Sequence, residues 1–223
     1  EGHGGVGGKK TVQKNPSGKP EVKLVTKKTE QAHLVLGVRG NPLGHKDRYV
    51  ESVLASILGG GMSSRLFTEI RERRGLAYYV RCSPAHYTDN GHLSARAGVK
   101  IDKIEEAIKV ILNEYDKISN FPALPAGRQF PISNKELQKA KEYLKGRFAL
   151  GLEDTYSMAD FAAEQEILEN AIETLEEVIE GIDAVAIEDI QRVAKEFFVD
   201  SRLNLALIGP FEDTAKFQSL LKL

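Results

Sequence analysis

Cysteine and tryptophan are scarce in this sequence of 223 residues, which contains one Cys and no Trp. A single thiol, Cys82, forms no intramolecular disulfide and builds no multi-cysteine zinc site, so both of those scaffolds are excluded. No apolar run reaches the ~18 residues of a membrane span. The first residues also lack a basic segment followed by an apolar one. We therefore expect no membrane span, no signal peptide and a cytoplasmic location.

The composition is otherwise that of an ordinary globular protein, with 41% hydrophobic and 28% charged residues. The net charge of −1 conceals an asymmetry along the chain. Residues 1–50 hold ten Lys or Arg against four Asp or Glu, whereas residues 151–200 hold two against fifteen. The basic residues near the N-terminus lack interleaved aromatic side chains, so we expect no nucleic-acid partner.

The chain divides into a linker and one domain. Residues 1–20 are rich in Gly and Lys and contain almost nothing apolar, which predicts a flexible linker. Residues 21–223 predict a single domain. Because the chain lacks an initiator Met, we expect it to be the downstream part of a longer polypeptide or a processed product.

The apolar spacing predicts both strands and helices. Residues 21–39 predict one or two strands, residues 77–83 and 91–99 a hairpin, and residues 202–208 a last strand. Helical patterns cover residues 47–58, 63–75, 102–118, 133–150, 155–168 and 187–198, with a short turn at 174–179 and an irregular connection at 120–131. This mixture predicts an α+β fold, in which helices pack on one face of a mainly antiparallel sheet.

Several residues mark helix ends. Ser63 or Ser64 is expected to cap the second helix, which Gly75 ends. Asp102 with Glu105 predicts a capping box at the third helix, and Ser133 with Glu136 opens the next one in the same manner.

Histidine and cysteine chemistry is weakly supported. None of the five histidines lies in a zinc-binding His-Glu-x-x-His arrangement. His86 and His92 bracket the predicted hairpin turn without a third ligand, so we interpret them as surface residues. Cys82, on a strand with no adjacent base, is interpreted as a small buried hydrophobic residue rather than a nucleophile.

The segment 59–80 is different because glycines precede a helix that ends in an arginine cluster. Arg71, Arg73 and Arg74 lie in its last turns, and a strand begins near Tyr78. Arginines there complement the helix dipole without any function. A second interpretation is an anion or nucleotide site at the glycine run, provided that the run precedes a helix N-terminus.

This segment resembles the M16 metallopeptidases, the group of insulysin, pitrilysin and the mitochondrial processing peptidase. The resemblance rests on the pattern SRLFxEIRExxGLAYxV after a glycine-rich turn, and extends more weakly from Ala32 to Pro210, including Gly151-Leu152-Glu153-Asp154 before a helix. It is similar to the C-terminal, zinc-lacking half of such an enzyme. In that family an Arg and a Tyr seven residues apart hold the substrate backbone, and they align with Arg71 and Tyr78.

The resemblance implies a division of labour between two halves of similar fold. A partner half with His-x-x-Glu-His would supply Zn, and this chain, which lacks that motif, would bind none. The chain would grip a peptide substrate and complete the chamber of a zinc metalloendopeptidase such as a processing protease, and would be inactive alone. The alternative is a non-catalytic structural or assembly subunit of the same fold, which would resemble the core subunits of respiratory complexes. Whether the halves are fused, heterodimeric or homodimeric stays open.

Overall fold

The computed structural model describes residues 18–120 and 132–223. Residues 1–17 of the linker predicted at 1–20 lie outside the described residues. Residues 121–131, which make up all but the first residue of the irregular connection predicted at 120–131, lie outside them as well. Within the described ranges, strands and helices begin at Glu21 and continue to Leu220.

A five-stranded sheet forms the centre of the domain. Its strands are β1 (Glu21–Thr26), β2 (Ala32–Gly40), β3 (Ala77–His86), β4 (Gly91–Val99) and β5 (Leu203–Gly209). Their spatial order is β1-β5-β2-β4-β3, so β1 and β3 are the edge strands. Three of the four pairings are antiparallel, which confirms the predicted sheet class. The fourth, between β1 and β5, is parallel and was not predicted from the sequence.

Seven α-helices accompany the sheet in the described ranges: α1 (Arg48–Gly59), α2 (Ile104–Ser119), α3 (Asn134–Gly151), α4 (Thr155–Glu169), α5 (Leu175–Ala184), α6 (Ile187–Phe197) and α7 (Thr214–Leu220). A π-helical segment, Phe67–Glu72, stands where the sequence predicted a regular second helix. The short helical turn predicted at 174–179 extends further in the structure, because Thr174 and Glu177 form a capping box that starts the ten-residue α5. Helix α7 was not predicted.

The helices cover one face of the sheet, as predicted. Along β2, Leu34 and Leu36 are buried, while the intervening Val35 is 38% exposed. This alternation separates a packed face from an open face. We call the packed face the side that carries Ala32, Leu34, Leu36, Val38, Leu93, Ala95, Ala97 and Val99. The open face is the opposite side, with Glu21, Lys23, Val25, His33, Val35, Arg39, Tyr79, Arg81, His92, Ser94 and Arg96.

Two of the predicted helix caps are absent. Ser133 accepts a hydrogen bond from the backbone N–H of Glu136 at 3.1 Å, as predicted. The capping box predicted at Asp102 is not formed, because a 3-10 turn, Ile101–Lys103, leads into α2 and leaves Lys103 as a cap without a side-chain bond. Ser64 does not cap the second helix either, since its hydroxyl donates to the backbone oxygen of Gly61 at 2.6 Å.

Transmembrane helices are not found in residues 18–120 and 132–223: none of the helices there combines the length and the apolar character that crossing a bilayer requires.

Candidate functional site

The glycine run after α1 is explained by close packing. A Cβ atom on Gly59 would lie 2.3 Å from the backbone nitrogen of Cys82, so only glycine allows the end of α1 to approach β3 this closely. Gly60 then caps α1, and its N–H donates to the backbone oxygen of Ser56. The run therefore closes the C-terminal end of α1 and does not itself open a helix, which removes the geometric basis for an anion site there.

The π-helical segment leads into β3 through a fixed turn. Gly75 has a φ of 60°, a left-handed conformation that favours glycine. Its N–H donates to the oxygen of Arg71 at 3.2 Å, and the N–H of Leu76 donates to the oxygen of Ile70 at 2.8 Å. Ile70 and Leu76 are both buried. These bonds and this packing fix the positions of the residues on the two sides of the turn.

The three arginines of this segment have different partners. Arg73 and Arg74 both form ion pairs with Glu69, whose pKa is lowered mainly by its hydrogen bond to Arg74. Arg71 is exposed, and its guanidinium carbon lies 5.1 Å from the centre of the Phe67 ring. Arg71 forms no ion pair with any residue in the described part of the chain. It is therefore the arginine of the cluster whose charge no carboxylate offsets.

Tyr78 lies just beyond the turn and is 53% exposed. It stands at an irregularity in the pairing of β3 with β4, where the register shifts between Ala77 and Tyr79. The neighbouring Tyr79 stacks on His33, and its hydroxyl lies 3.2 Å from Nδ1 of that histidine. Arg71 and Tyr78 thus both have exposed side chains close to one turn.

A depression of about 850 Å³ adjoins this turn. The end of α1, the π-helical segment, β3 and α3 surround it, and its lining includes Arg71, Tyr79, Arg81 and Tyr143. Tyr78 is not among the described residues that line it. The sequence interpretation did not include Tyr79, although it is the next residue in the strand.

An ion pair fixes one wall of this depression. Arg65 donates to both carboxylate oxygens of Glu136, from Nε at 2.7 Å and from Nη2 at 2.9 Å, which joins the turn of chain just before the π-helical segment to α3. Because β3 is an edge strand, the depression borders a strand edge of the kind to which extended peptides add.

No described residues form a cluster of three His, Cys, Asp or Glu side chains suited to a metal ion. Residues 18–120 and 132–223 therefore offer no donor set suited to a zinc ion. Burial raises the pKa of the Cys82 thiol to about 12, which agrees with the interpretation of Cys82 as a buried hydrophobic residue.

The interpretation of His86 as a surface residue is wrong. Its side chain is 15% exposed, and its Nδ1 lies 3.0 Å from the backbone oxygen of Asn41, because the loop after β2 packs against it.

The comparison with protein families decides the classification. The profile described as the peptidase M16 inactive domain matches residues 5–144. The chain belongs to the M16 peptidase family. The uncharacterized zinc protease YmxG of Bacillus subtilis (strain 168) is 36% identical over 203 residues, which cover 91% of this chain and 47% of that protein. This M16 chain spans about half the length of the curated relatives it matches.

Solved structures share the fold of this M16 domain. A peptidase M16 inactive domain from Pseudomonas fluorescens matches with a TM-score of 0.71 at 21% identity, covering 87% of this chain and 44% of that chain. A chain of complex III2 from Candida albicans matches with a TM-score of 0.76 at 19% identity, covering 92% and 50%. At these identities the likeness concerns the fold alone.

Proposed function

We propose that this chain is the half of an M16-type zinc metalloendopeptidase that binds no zinc, grips the peptide substrate and completes the active-site chamber. A partner half with His-x-x-Glu-His, in the same polypeptide or in a separate subunit, supplies the zinc and the general base. This chain alone is then inactive, and we keep the cytoplasm as the expected location.

The observation that carries the proposal is the pair of exposed side chains at the Gly75 turn. Arg71 offers a guanidinium that no carboxylate of the described residues neutralises, and Tyr78 offers a phenol hydroxyl from the first residues of β3. Both groups are hydrogen-bond donors suited to a substrate carbonyl oxygen on which negative charge develops. One donor of this kind contributes about 3–4 kcal/mol to transition-state stabilisation in other enzymes.

The surroundings suit an extended peptide. The edge of β3 offers backbone hydrogen-bonding groups, and the depression beside it offers room for side chains. The Arg71 guanidinium lies over the Phe67 ring, and this cation–π contact limits the orientations that the arginine side chain samples. In this arrangement the chain positions the carbonyl, and the chemistry of bond cleavage belongs to the partner half.

The test is a cleavage assay on this chain combined with its zinc-bearing half. We expect Arg71→Ala to lower kcat/KM by about 100-fold or more, and Tyr78→Phe by about 10-fold or more, because each removes a donor to the developing charge. Zinc content and thermal unfolding should stay unchanged. Arg73→Ala and Tyr156→Phe, which alter an exposed arginine of the same segment and an exposed tyrosine of α4, are the matched controls.

Near-normal rates in both Arg71→Ala and Tyr78→Phe would contradict the assigned roles. The structural-subunit alternative makes a different prediction. In that case the assembled protein cleaves no peptide, and the neighbouring half lacks His-x-x-Glu-His. The fold shared with a chain of complex III2 is compatible with either function, so the identity of the partner half discriminates between them.

A further inference from the structure

Two arginines stand directly opposite each other on the open face of the sheet. Arg81 of β3 pairs with Arg96 of β4, and both side chains are exposed. Residues paired in this way have Cβ atoms about 4.5–5.5 Å apart, and like charges at that separation destabilise a sheet. Neither guanidinium forms an ion pair within residues 18–120 or 132–223. The pair therefore offers two neighbouring cations to a ligand.

The rest of the open face has the same sign of charge. Across the sheet, the row of Arg81 and Arg96 continues through Val35 and Ala206 to Lys23. Including Arg39, the strands place four Lys or Arg side chains on this face and one carboxylate, that of Glu21. The acidic residues of the chain are concentrated instead in residues 151–200, which form helices. The open face is thus positively charged in a chain of net charge −1.

The positive charge of Arg96 acts on the nearby side chain of His92. The pKa of His92 is lowered, first by burial and then by the positive charge of Arg96. A neutral imidazole there adds no further repulsion near neutral pH, so the arginine pair of β3 and β4 remains the main positive centre beside it.

A hollow of about 500 Å³ lies on the same face, lined among others by Lys23, Val35, His92 and Ser94. Its floor is low because β2 has glycine at position 37, where a Cβ atom would lie 2.7 Å from the Cβ of Ser94. Ser94 is 2% exposed, and its hydroxyl has no hydrogen-bond partner among the described residues. A buried polar group without a partner is costly, and a ligand acceptor beside it would remove that cost.

We propose that the open face binds acidic side chains of the peptide substrate, with one Asp or Glu carboxylate bridging Arg81 and Arg96. Two guanidinium forks converging on one carboxylate relieve their mutual repulsion and form charge-assisted hydrogen bonds. Lys23 and Arg39 are further away and add a longer-range attraction that salt screens. The inference rests on the proposed peptide-binding function, and it names the class of peptide: one that carries carboxylates.

The position of the arginine pair also places the acidic residue relative to the cleaved bond. Arg81 follows Tyr78 by three residues in β3, a distance of about 10 Å along a strand. An extended peptide whose carbonyl lies at Tyr78 therefore reaches the arginine pair with a side chain about three residues away. Peptides with Glu at that distance from the cleaved bond are the expected preferred substrates.

The experiment uses fluorescent peptides that are identical except for a single Glu or Gln moved along the sequence. Binding to this chain and cleavage by the chain combined with its zinc-bearing half are both measured at low salt. For wild type we expect about tenfold tighter binding of the best Glu peptide than of its Gln counterpart, a difference that falls as salt is added. The double variant Arg81→Gln, Arg96→Gln should lose this preference, so that it binds the Glu and Gln peptides with equal affinity.

Two further variants distinguish a specific loss of the Glu preference from a loss of folding. The double variant Lys135→Gln, Arg147→Gln removes the same two positive charges from α3, on the helical side of the sheet, and should leave the preference intact. The charge reversal Arg81→Glu, Arg96→Glu should turn the preference toward a Lys peptide, which an unfolded protein would not do. Equal losses for Glu and Gln peptides in the double Gln variant would overturn the inference.

The outcomes separate this inference from the proposed function. A Glu preference in binding that depends on Arg81 and Arg96 supports the acidic site even if no peptide is cleaved. Cleavage that depends on Arg71 and Tyr78 without any Glu preference overturns the acidic site and leaves the proposed function standing. Tight binding of an oligonucleotide in place of the Glu peptides would also overturn it.

Discussion

The two faces of the sheet differ although the same strands form both. On the packed face, β2 and β4 present aliphatic and small side chains that the helices cover, and the alternating residues of the same strands present arginine, histidine and exposed valine on the open face. Hydrophobic burial stabilises the first face, whereas charge dominates the second. The comparison teaches that fold and proposed ligand recognition are encoded in alternate positions of one segment of sequence.

The two faces should differ most in how a truncation changes the free energy of unfolding, and two adjacent residues of β2 test this. Leu36 is fully buried on the packed face and Val35 is 38% exposed on the open face. Leu36→Ala should lower the free energy of unfolding by about 2–5 kcal/mol, because it removes buried methyl groups and leaves a cavity. Val35→Ala should cost less than about 1 kcal/mol. Urea denaturation of both variants measures this, and equal losses would contradict the division into two faces.

The next effect concerns the close approach of α1 to the sheet. Gly59→Ala places a Cβ atom 2.3 Å from the backbone nitrogen of Cys82, so α1 or β3 must shift, at a cost of about 1–3 kcal/mol. Gly146→Ala in α3 is the matched control, since a Cβ atom there meets nothing within 4 Å. This control should be neutral or stabilise the protein by up to about 1 kcal/mol. Thermal unfolding of Gly59→Ala and Gly146→Ala measures this difference. Equal changes in Tm for the two variants would refute the packing role of Gly59.

The smallest effect arises from an ionisable group on the helical side. Glu51 of α1 is fully buried; its Oε1 accepts a hydrogen bond from Asn41 at 2.7 Å, and its Oε2 has no hydrogen-bond partner among the described residues, with Nδ1 of His86 3.9 Å away. Burial raises the pKa of Glu51 from 4.5 to about 7, against the opposing effect of the Asn41 hydrogen bond. The folded protein therefore holds this proton at pH values where the unfolded chain has lost it, and stability falls as pH rises toward and through about 7.

Glu51→Gln removes this titration and keeps the acceptor for Asn41. Relative to wild type, the variant should gain stability on the order of 1–3 kcal/mol between about pH 5 and about pH 8, since one pKa unit corresponds to about 1.4 kcal/mol. Denaturation curves of both proteins across this range provide the measurement, with Lys222→Gln as a variant of an exposed residue near the C-terminus for comparison. A constant difference between Glu51→Gln and wild type at every pH would show that the carboxyl group does not titrate there.

Local sequence patterns predicted much of the fold. The period-two alternation in residues 91–99 gave β4 its bounds, and Ser133 marked the start of α3. The parallel pairing of β1 with β5 was not predictable in this way, because it joins segments about 180 residues apart and depends on the whole sheet. Helix α5 was predicted too short because Gly181 weakens its helical pattern, and because the burial of Val178 and Ile182 depends on contacts with α1 and α3.

The candidate site was predicted by resemblance to a family rather than by local pattern. Spacing placed Arg71 and Tyr78 at the end of a helix and the start of a strand, which the structure reproduces apart from the π-helical geometry. Spacing did not distinguish Arg71 from Arg73 and Arg74, because the difference lies in their pairing with Glu69. The opposition of Arg81 and Arg96 was also invisible, since strand register is a tertiary property.

The strand order has a consequence for biosynthesis. β1 is joined to the rest of the sheet through β5, which the ribosome synthesises after the other four strands. While residues 203–209 remain in the exit tunnel, the first strand lacks its neighbour and β2 has one exposed edge. We expect the nascent chain to hold these edges open until its last strand emerges, so that truncation just before Leu203 leaves a polypeptide prone to aggregation.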